Sequence, residues 1–100
     1  MRQFHAQAAH DTSIQLPSAE AQPTVDLLAI DTEGYDFEVL RRFPFNTTKV
    51  WRVQFEYDKL STTMRHHAGQ LLRSHSFLPL LVAGGDETWH HASSAEHFRL

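Results

Sequence analysis

The sequence contains no cysteine, and its first glycine is Gly34. The lack of cysteine excludes disulfides, thiolate metal sites and a cysteine nucleophile. No stretch approaches the roughly 18 apolar residues of a membrane span, and the N-terminus has no apolar segment of signal-peptide length. The net charge of -3 gives no sign of the basic surface that nucleic-acid binders usually carry. These absences favour a soluble, cytoplasmic protein with neither a membrane nor a nucleic acid as its partner.

The composition is typical of a globular chain, with 41% hydrophobic and 11% aromatic residues among 100 positions. This length suits one domain or part of one. Residues 1–24 show no sustained periodicity, so we expect a loosely ordered lead-in with at most a short strand near residues 12–16. Residues 25–100 carry periodic patterns and are predicted to form the folded domain.

Strand and helix patterns alternate from residue 25 onwards. A nearly continuous apolar run over residues 25–30 predicts a strand buried in a parallel sheet. Apolar residues three and four apart then predict a helix that begins near Tyr35 and ends before Pro44. The later patterns predict a strand at residues 49–57, a helix after Ser61, a strand at residues 77–83, a glycine turn and a short strand at residues 88–91. The predicted fold is therefore α/β, strand-helix-strand-helix-strand plus a terminal antiparallel strand, or half of a doubly wound sheet.

Local signals add detail to this fold. Candidate caps for the first helix are Asp31 and Thr32, and Pro79 indicates an edge strand. The second helix has an apolar stripe, and a capping box is predicted near the C-terminus. The stripe consists of Met64, Ala68, Leu71, Leu72 and His75, and the box of Ser93 and Glu96.

Acidic residues follow the first two strands at the point where each strand ends. Asp31 and Glu33 follow the first strand, and Glu56 and Asp58 end the second. In open α/β sheets ligands bind beyond the carboxyl ends of the strands, so these side chains are candidates for one shared site. The alternative is structural: Asp31 and Glu33 cap a helix or complement its dipole, Glu56 is a solvated strand residue, and Asp58 is a loop residue.

The segment VDLLAIDTEGYDFEVLRRF resembles the D-x-E-G-x-(D/E)-x-x-V-L segment of FkbM-family methyltransferases. The similarity extends over about residues 24–91, with Ala29 where the family usually has lysine and His75 to Phe77 replacing its Gly-Phe or Gly-Tyr. The resemblance implies a partial Rossmann-like methyltransferase sheet that uses S-adenosylmethionine, usually to methylate a hydroxyl oxygen. With the resemblance, the candidate catalytic residues are Asp31 and Glu33, and Glu56 is added by its place at the same end of the sheet. The alternative for Asp31 and Glu33 is to hold a divalent cation through their oxygens, although no metal is assigned. The implied acceptor is a small molecule or a glycan.

The resemblance covers only the C-terminal half of such an enzyme. The family's upstream strand and glycine-rich loop, which hold the cofactor, have no counterpart before residue 25, so the residues that bind the cofactor are unknown. Loss of the first strands would leave an apolar sheet edge uncovered, which invites pairing. We therefore expect a missing N-terminal half, an oligomer, or compensating packing by residues 1–24.

Two other functions remain open. A non-catalytic or degenerate domain would bind a partner through its exposed sheet edge. A metal-dependent 3′–5′ exonuclease would use a D-x-E pair such as Asp31 and Glu33, which resembles the signature of those enzymes superficially. The eight histidines are scattered and lack the i, i+4 spacing of a helical zinc site, so we expect them to be surface or partly buried residues.

Overall fold

The computed structural model describes residues 3–7 and 23–94 as a small α/β domain with a mixed sheet. Within these residues five strands lie in the order β1-β2-β3-β5-β4. The first three strands run parallel, and β5 runs antiparallel to both of its neighbours. The elements are β1 (Gln3–Gln7), β2 (Thr24–Asp31), α1 (Asp36–Arg42), β3 (Lys49–Glu56), α2 (Thr62–Ser74), β4 (Phe77–Ala83) and β5 (Asp86–His91).

Both helices pack on the same face of the sheet. Side chains alternate between the two faces of a strand, and Ile30 and Phe55 are paired on the face that forms the core. The ring of Trp89 lies on this face too, and a Cβ placed at Gly69 of α2 would be 3.5 Å from it. The buried core consists of Leu28, Ile30, Val39, Leu40, Phe43, Val50, Val53, Phe55, Ala68, Leu72, Phe77 and Trp89. The predicted alternation of strands and helices after residue 24 is confirmed.

Strand β1 was not expected from the sequence. It pairs in parallel with β2 from Gln3 opposite Leu27 to Gln7 opposite Asp31. Of the three expected ways to cover the edge of the strand after residue 24, compensating packing by residues 1–24 is therefore confirmed, because backbone hydrogen bonding to β1 occupies that edge. The strand expected near residues 12–16 lies outside the described residues, and the division of the chain at residue 24 stays a prediction.

The helix boundaries differ in detail from the sequence patterns. Helix α1 begins at Asp36 with Tyr35 at the N-cap and no side-chain cap, so neither Asp31 nor Thr32 caps it. Helix α2 is capped as expected, since the Ser61 hydroxyl accepts a hydrogen bond from the backbone N–H of Met64. The Met64 side chain is 44% exposed and does not belong to the buried stripe. Glu96 of the expected capping box lies outside the described residues.

A tight hairpin joins β4 to β5. Gly84 and Gly85 have φ values of 61° and 86°, the left-handed conformation that a two-residue hairpin loop of the primed type requires. The hairpin places β4 at an edge of the described sheet, which confirms the prediction from Pro79. Within the described residues, neither helix has the length and apolar character needed to cross a membrane.

Candidate functional site

Three carboxylates lie side by side at one end of the sheet. Strands β2 and β3 are in register as far as Ile30 and Phe55, so the next residues, Asp31 and Glu56, occupy neighbouring positions where both strands end. Glu56 pairs in turn with Asp86, the first residue of β5. Directly paired residues share a face, and here it is the face opposite the two helices. We call Asp31, Glu56 and Asp86 the carboxylate row.

The chain leaves this end of β2 through a left-handed turn. Glu33 has φ of 54° and Gly34 has φ of 105°, a region that side chains with a Cβ rarely enter. A Cβ at Gly34 would be 3.9 Å from the Cβ of Lys59, so the turn lies beside the segment that follows β3. The exposed Glu33 side chain is therefore held next to the carboxylate row by backbone geometry.

A fully buried carboxylate, Asp36, ties the ends of β2 and β3 together. Its Oδ1 accepts hydrogen bonds from the backbone N–H of Thr32, at 3.0 Å, and from the Thr32 hydroxyl. Its Oδ2 accepts a bond of 2.8 Å from the backbone N–H of Glu56. Asp36 is the third acidic residue of the D-x-E-G-x-(D/E) pattern, and this place is the sequence signal that pointed to it. Its role as a buried link between two strand ends was not predicted.

Glu56 has the most unusual environment at this end of the sheet. Its Oε1 is shielded from solvent and has no hydrogen-bond donor among the described residues. Burial raises the pKa of its carboxyl above the ordinary 4.5, and the negative charges of Asp58, Glu33, Asp31 and Asp36 raise it further. Glu56 therefore holds a proton more tightly than a solvated glutamate does and is a stronger base once ionised.

A second glutamate on the neighbouring strand has the opposite environment. Glu87 lies on the helix-covered face, where its carboxylate pairs with Arg65 and accepts a 2.9 Å bond from the indole N–H of Trp89. The guanidinium of Arg65 also lies 3.8 Å from the ring centre of Tyr57. The carboxylate of Glu87 thus has its hydrogen-bond partners within the fold, whereas one oxygen of Glu56 has no donor among the described residues.

The structure brings all four acidic residues singled out in the sequence to one end of the sheet. Asp31 and Glu56 belong to the carboxylate row, and Glu33 lies in the adjoining turn. Asp58 lies against the β4–β5 turn, since a Cβ at Gly85 would be 2.9 Å from its Oδ2. Asp86 was missed because it begins a strand that the sequence pattern starts two residues later. The catalytic roles of Asp31, Glu33 and Glu56 stay predictions.

The opposite end of the sheet contains a separate cavity, and two histidines line it. The cavity measures about 180 Å³ and is lined by Phe45, Thr48, Lys49, Val50, His75, Phe77 and His91. His66 and His67 are exposed and His75, His90 and His91 are partly buried, as expected for these five. Among residues 3–7 and 23–94, no three histidine, aspartate or glutamate side chains are grouped as metal ligands.

The domain has an α/β fold, and its carboxylate row lies where the parallel strands β2 and β3 end. This is the usual location of ligand sites in such sheets. A family model described as the methyltransferase FkbM domain matches residues 11–79. The chain belongs to the FkbM methyltransferase domain family. No curated protein matches it significantly, and neither does any solved structure.

Proteins of this family generally use S-adenosylmethionine as the methyl donor. The family's cofactor site includes a glycine-rich loop after a strand that precedes β2. Here β1 precedes β2, but the residues that follow it, AAHDTSIQLPSAEAQPT, contain no glycine. The segment between β1 and β2 therefore has no counterpart of the family's glycine-rich loop.

Proposed function

We propose that this chain forms the acceptor-facing side of an S-adenosylmethionine-dependent O-methyltransferase site of the FkbM type. The observation that carries the proposal is Glu56, whose Oε1 is buried without a donor and whose pKa is raised by burial and by neighbouring carboxylates. Like charges on directly paired residues destabilise a sheet. A row that keeps such charges together is a feature more typical of functional sites than of structural ones.

Each acidic residue of the site has a distinct proposed role. Ionised carboxylates only accept hydrogen bonds, so the carboxylate row favours an acceptor with several hydroxyl groups, such as a glycan or a small polyol. Asp31 orients the reacting hydroxyl. Glu56 takes the proton from that hydroxyl as general base, and its raised pKa makes it a stronger base than a solvated glutamate. Glu33 supplies a further acceptor at the side of the site.

We also infer that the sheet is part of a Rossmann-like methyltransferase sheet. The order β1-β2-β3-β5-β4 supports this, because three neighbouring strands run parallel and the strand that ends in Asp31 lies between two of them. Since the segment between β1 and β2 contains no glycine, we infer that the cofactor requires residues beyond those of this chain. Calorimetric titration of the chain with S-adenosylmethionine should therefore give no binding heat at millimolar ligand. Saturable binding at micromolar ligand would contradict this part of the proposal.

The acceptor-facing role is tested by a graft. Residues 24–91 replace the corresponding segment of another FkbM-family methyltransferase, and methyl transfer from labelled S-adenosylmethionine to a panel of hydroxyl acceptors is measured. We expect the graft to transfer methyl groups and Asp31→Asn to reduce kcat/KM. Glu38→Gln, an exposed change on α1, is the matched control and should leave the rate unchanged. An inactive graft, or an Asp31→Asn graft as active as the parent, would count against the proposal.

A further inference from the structure

Strand β4 has an exposed apolar surface that is unusual for a soluble domain. Four of its side chains are about half exposed: Leu78 at 47%, Leu80 at 49%, Leu81 at 60% and Val82 at 51%. We call these four residues the β4 patch. The strand also lies at an edge of the described sheet, and no residue from 77 to 83 is charged. Edge strands are usually protected by charged side chains, and exposed apolar patches usually mark interaction surfaces.

The two ends of β4 carry opposite charge. Beyond its C-terminal end lie Asp86 and, against the hairpin turn, Asp58. Before its N-terminal end lies Arg73 in the last turn of α2, whose guanidinium is 5.1 Å from the ring centre of Trp89. Seven strand residues separate the two groups, about 23 Å at the usual rise per residue. A partner strand that runs antiparallel would place opposite charges together at both ends.

We propose that the β4 patch is the self-association surface of this protein, and that two copies pair antiparallel about a two-fold axis through β4. A two-fold contact uses the same surface on both copies. Antiparallel pairing brings Arg73 of each copy toward the hairpin turn and Asp58 of the other, whereas parallel pairing would bring like charges together. A second copy is therefore the partner whose charge pattern complements this surface.

The contact combines backbone pairing with side-chain packing. Pro79 has no N–H to donate, and the register of β4 on β5 shifts between Pro79 and Leu81. With the two-fold axis near Leu80, residues 81–83 of each copy lie opposite residues 77–79 of the other, and Pro79 removes one backbone donor from this pairing. Leu78 and Leu80 contribute apolar burial, which is the main source of association free energy.

Sedimentation equilibrium of the full chain tests the proposal. The expected mass is twice the 11.5 kDa of the chain in the micromolar to millimolar range. Leu81→Lys and, separately, Val82→Lys should each return the mass to that of one chain, while circular dichroism shows that the fold is kept. Met64→Lys, which places the same charge on another exposed apolar residue, should remain dimeric. A monomeric parent chain, open-ended aggregates, or dimers that survive both β4 substitutions would overturn the proposal.

A charge exchange tests the antiparallel arrangement. Arg73→Glu alone and Asp58→Arg alone should each weaken the dimer, and the double variant should recover affinity because the charges are again complementary across the axis. Single variants without effect, or a double variant weaker than both, would contradict antiparallel pairing. Since the chain has no cysteine, spin labels at introduced cysteines report the arrangement independently. Labels at residue 82 should lie closer to each other in the dimer than labels at residue 64.

Discussion

The carboxylate of Asp36 at the start of α1 accepts a 2.8 Å hydrogen bond from the backbone N–H of Glu56 at the end of β3. The other oxygen of the same carboxylate binds both the backbone N–H and the hydroxyl of Thr32, just after β2. One buried side chain therefore fixes the relative positions of the two strand ends that carry Asp31 and Glu56. We regard it as the positioning residue of the site.

Replacement of Asp36 by asparagine should destabilise the domain. The amide oxygen can keep the two bonds from Thr32, but the amide NH₂ then faces the N–H of Glu56, and two donors meet in a buried place. A buried donor left without an acceptor costs about 1–3 kcal/mol. Urea unfolding of the Asp36→Asn variant should show a loss of this size. Glu38→Gln, which alters only exposed ion pairs with Arg41 and Arg42, is the control, and an equal loss in both variants would argue against the proposed role.

The carboxyl of Glu56 should titrate above the ordinary 4.5, because burial and then the charges of Asp58, Glu33, Asp31 and Asp36 raise its pKa. Carbon NMR of the side-chain carboxyl measures this midpoint directly. Among the neighbouring charges, that of Asp58 raises this pKa most. Asp58→Asn removes that charge and should lower the midpoint of the Glu56 titration. A midpoint at or below 4.5, or one that Asp58→Asn leaves unchanged, would contradict the described environment.

The same shift fixes the sign of a pH effect on stability. A carboxyl with a raised pKa binds its proton more tightly when folded, so stability falls as the pH rises from 4.5 through the folded pKa. Glu56→Gln should therefore raise the melting temperature at pH 7 and have no such advantage below pH 4.5. Glu38 is the opposite case, since a hydrogen bond from Arg41 lowers its pKa. Glu38→Gln should give no gain at pH 7, and equal behaviour of the two variants would argue against the assignment.

The turn after β2 should tolerate no side chain at residue 34. Gly34 has φ of 105°, and forcing a residue with a Cβ into left-handed geometry costs about 1–2 kcal/mol. Gly34→Ala should lower the free energy of unfolding by roughly this amount. Gly69→Ala is the matched control, because residue 69 is in a helix and its added Cβ would make ordinary contact with Trp89 at 3.5 Å. Gly69→Ala should raise the free energy of unfolding by up to about 1 kcal/mol. A Gly34→Ala variant more stable than Gly69→Ala would contradict the left-handed turn after β2.

His91 should stay neutral to lower pH than an ordinary histidine. Burial lowers its pKa below 6.5, and the positive charges of Lys49 and then His90 lower it further. Its contribution to stability is therefore present above 6.5 and is lost as the pH falls through the folded pKa. NMR titration of the assigned imidazole should show the low midpoint. Lys49→Gln should raise that midpoint, whereas Lys59→Gln at the other end of the sheet should not; equal shifts would exclude the local cause.

Much of the fold could be predicted from the sequence because its signals are local. The apolar run before Asp31 and the two glycines after Ala83 are short-range patterns whose meaning does not depend on the rest of the chain. Strand β1 could not be predicted in this way, because QFHAQ has no distinctive pattern and becomes a strand only by pairing with β2. The exposure of the β4 patch depends in the same manner on which strands and helices surround it.

The candidate site was predictable in its location but not in its organisation. The sequence pattern predicted that Asp31 and Glu56 lie at the same end of the sheet, because each lies where its strand ends and parallel strands share a direction. The register that makes them neighbours of Asp86 is set by long-range pairing, which the sequence pattern does not specify. The burial of Asp36 depends on the backbone N–H of Glu56, twenty positions away. The sequence therefore indicated which end of the sheet carries the candidate site, and the structure indicated which carboxyl there lacks a hydrogen-bond donor.

The central claim, that Glu56 is the general base of the acceptor-facing site, is tested most directly by the pH dependence of methyl transfer in the graft. We expect the parent graft to lose kcat/KM at low pH with a midpoint that matches the NMR titration of Glu56. Glu56→Gln should reduce kcat by about 10²–10⁴-fold, the usual contribution of a general base, and should abolish that acid limb. A Glu56→Gln graft with the rate and pH profile of the parent would contradict the claim.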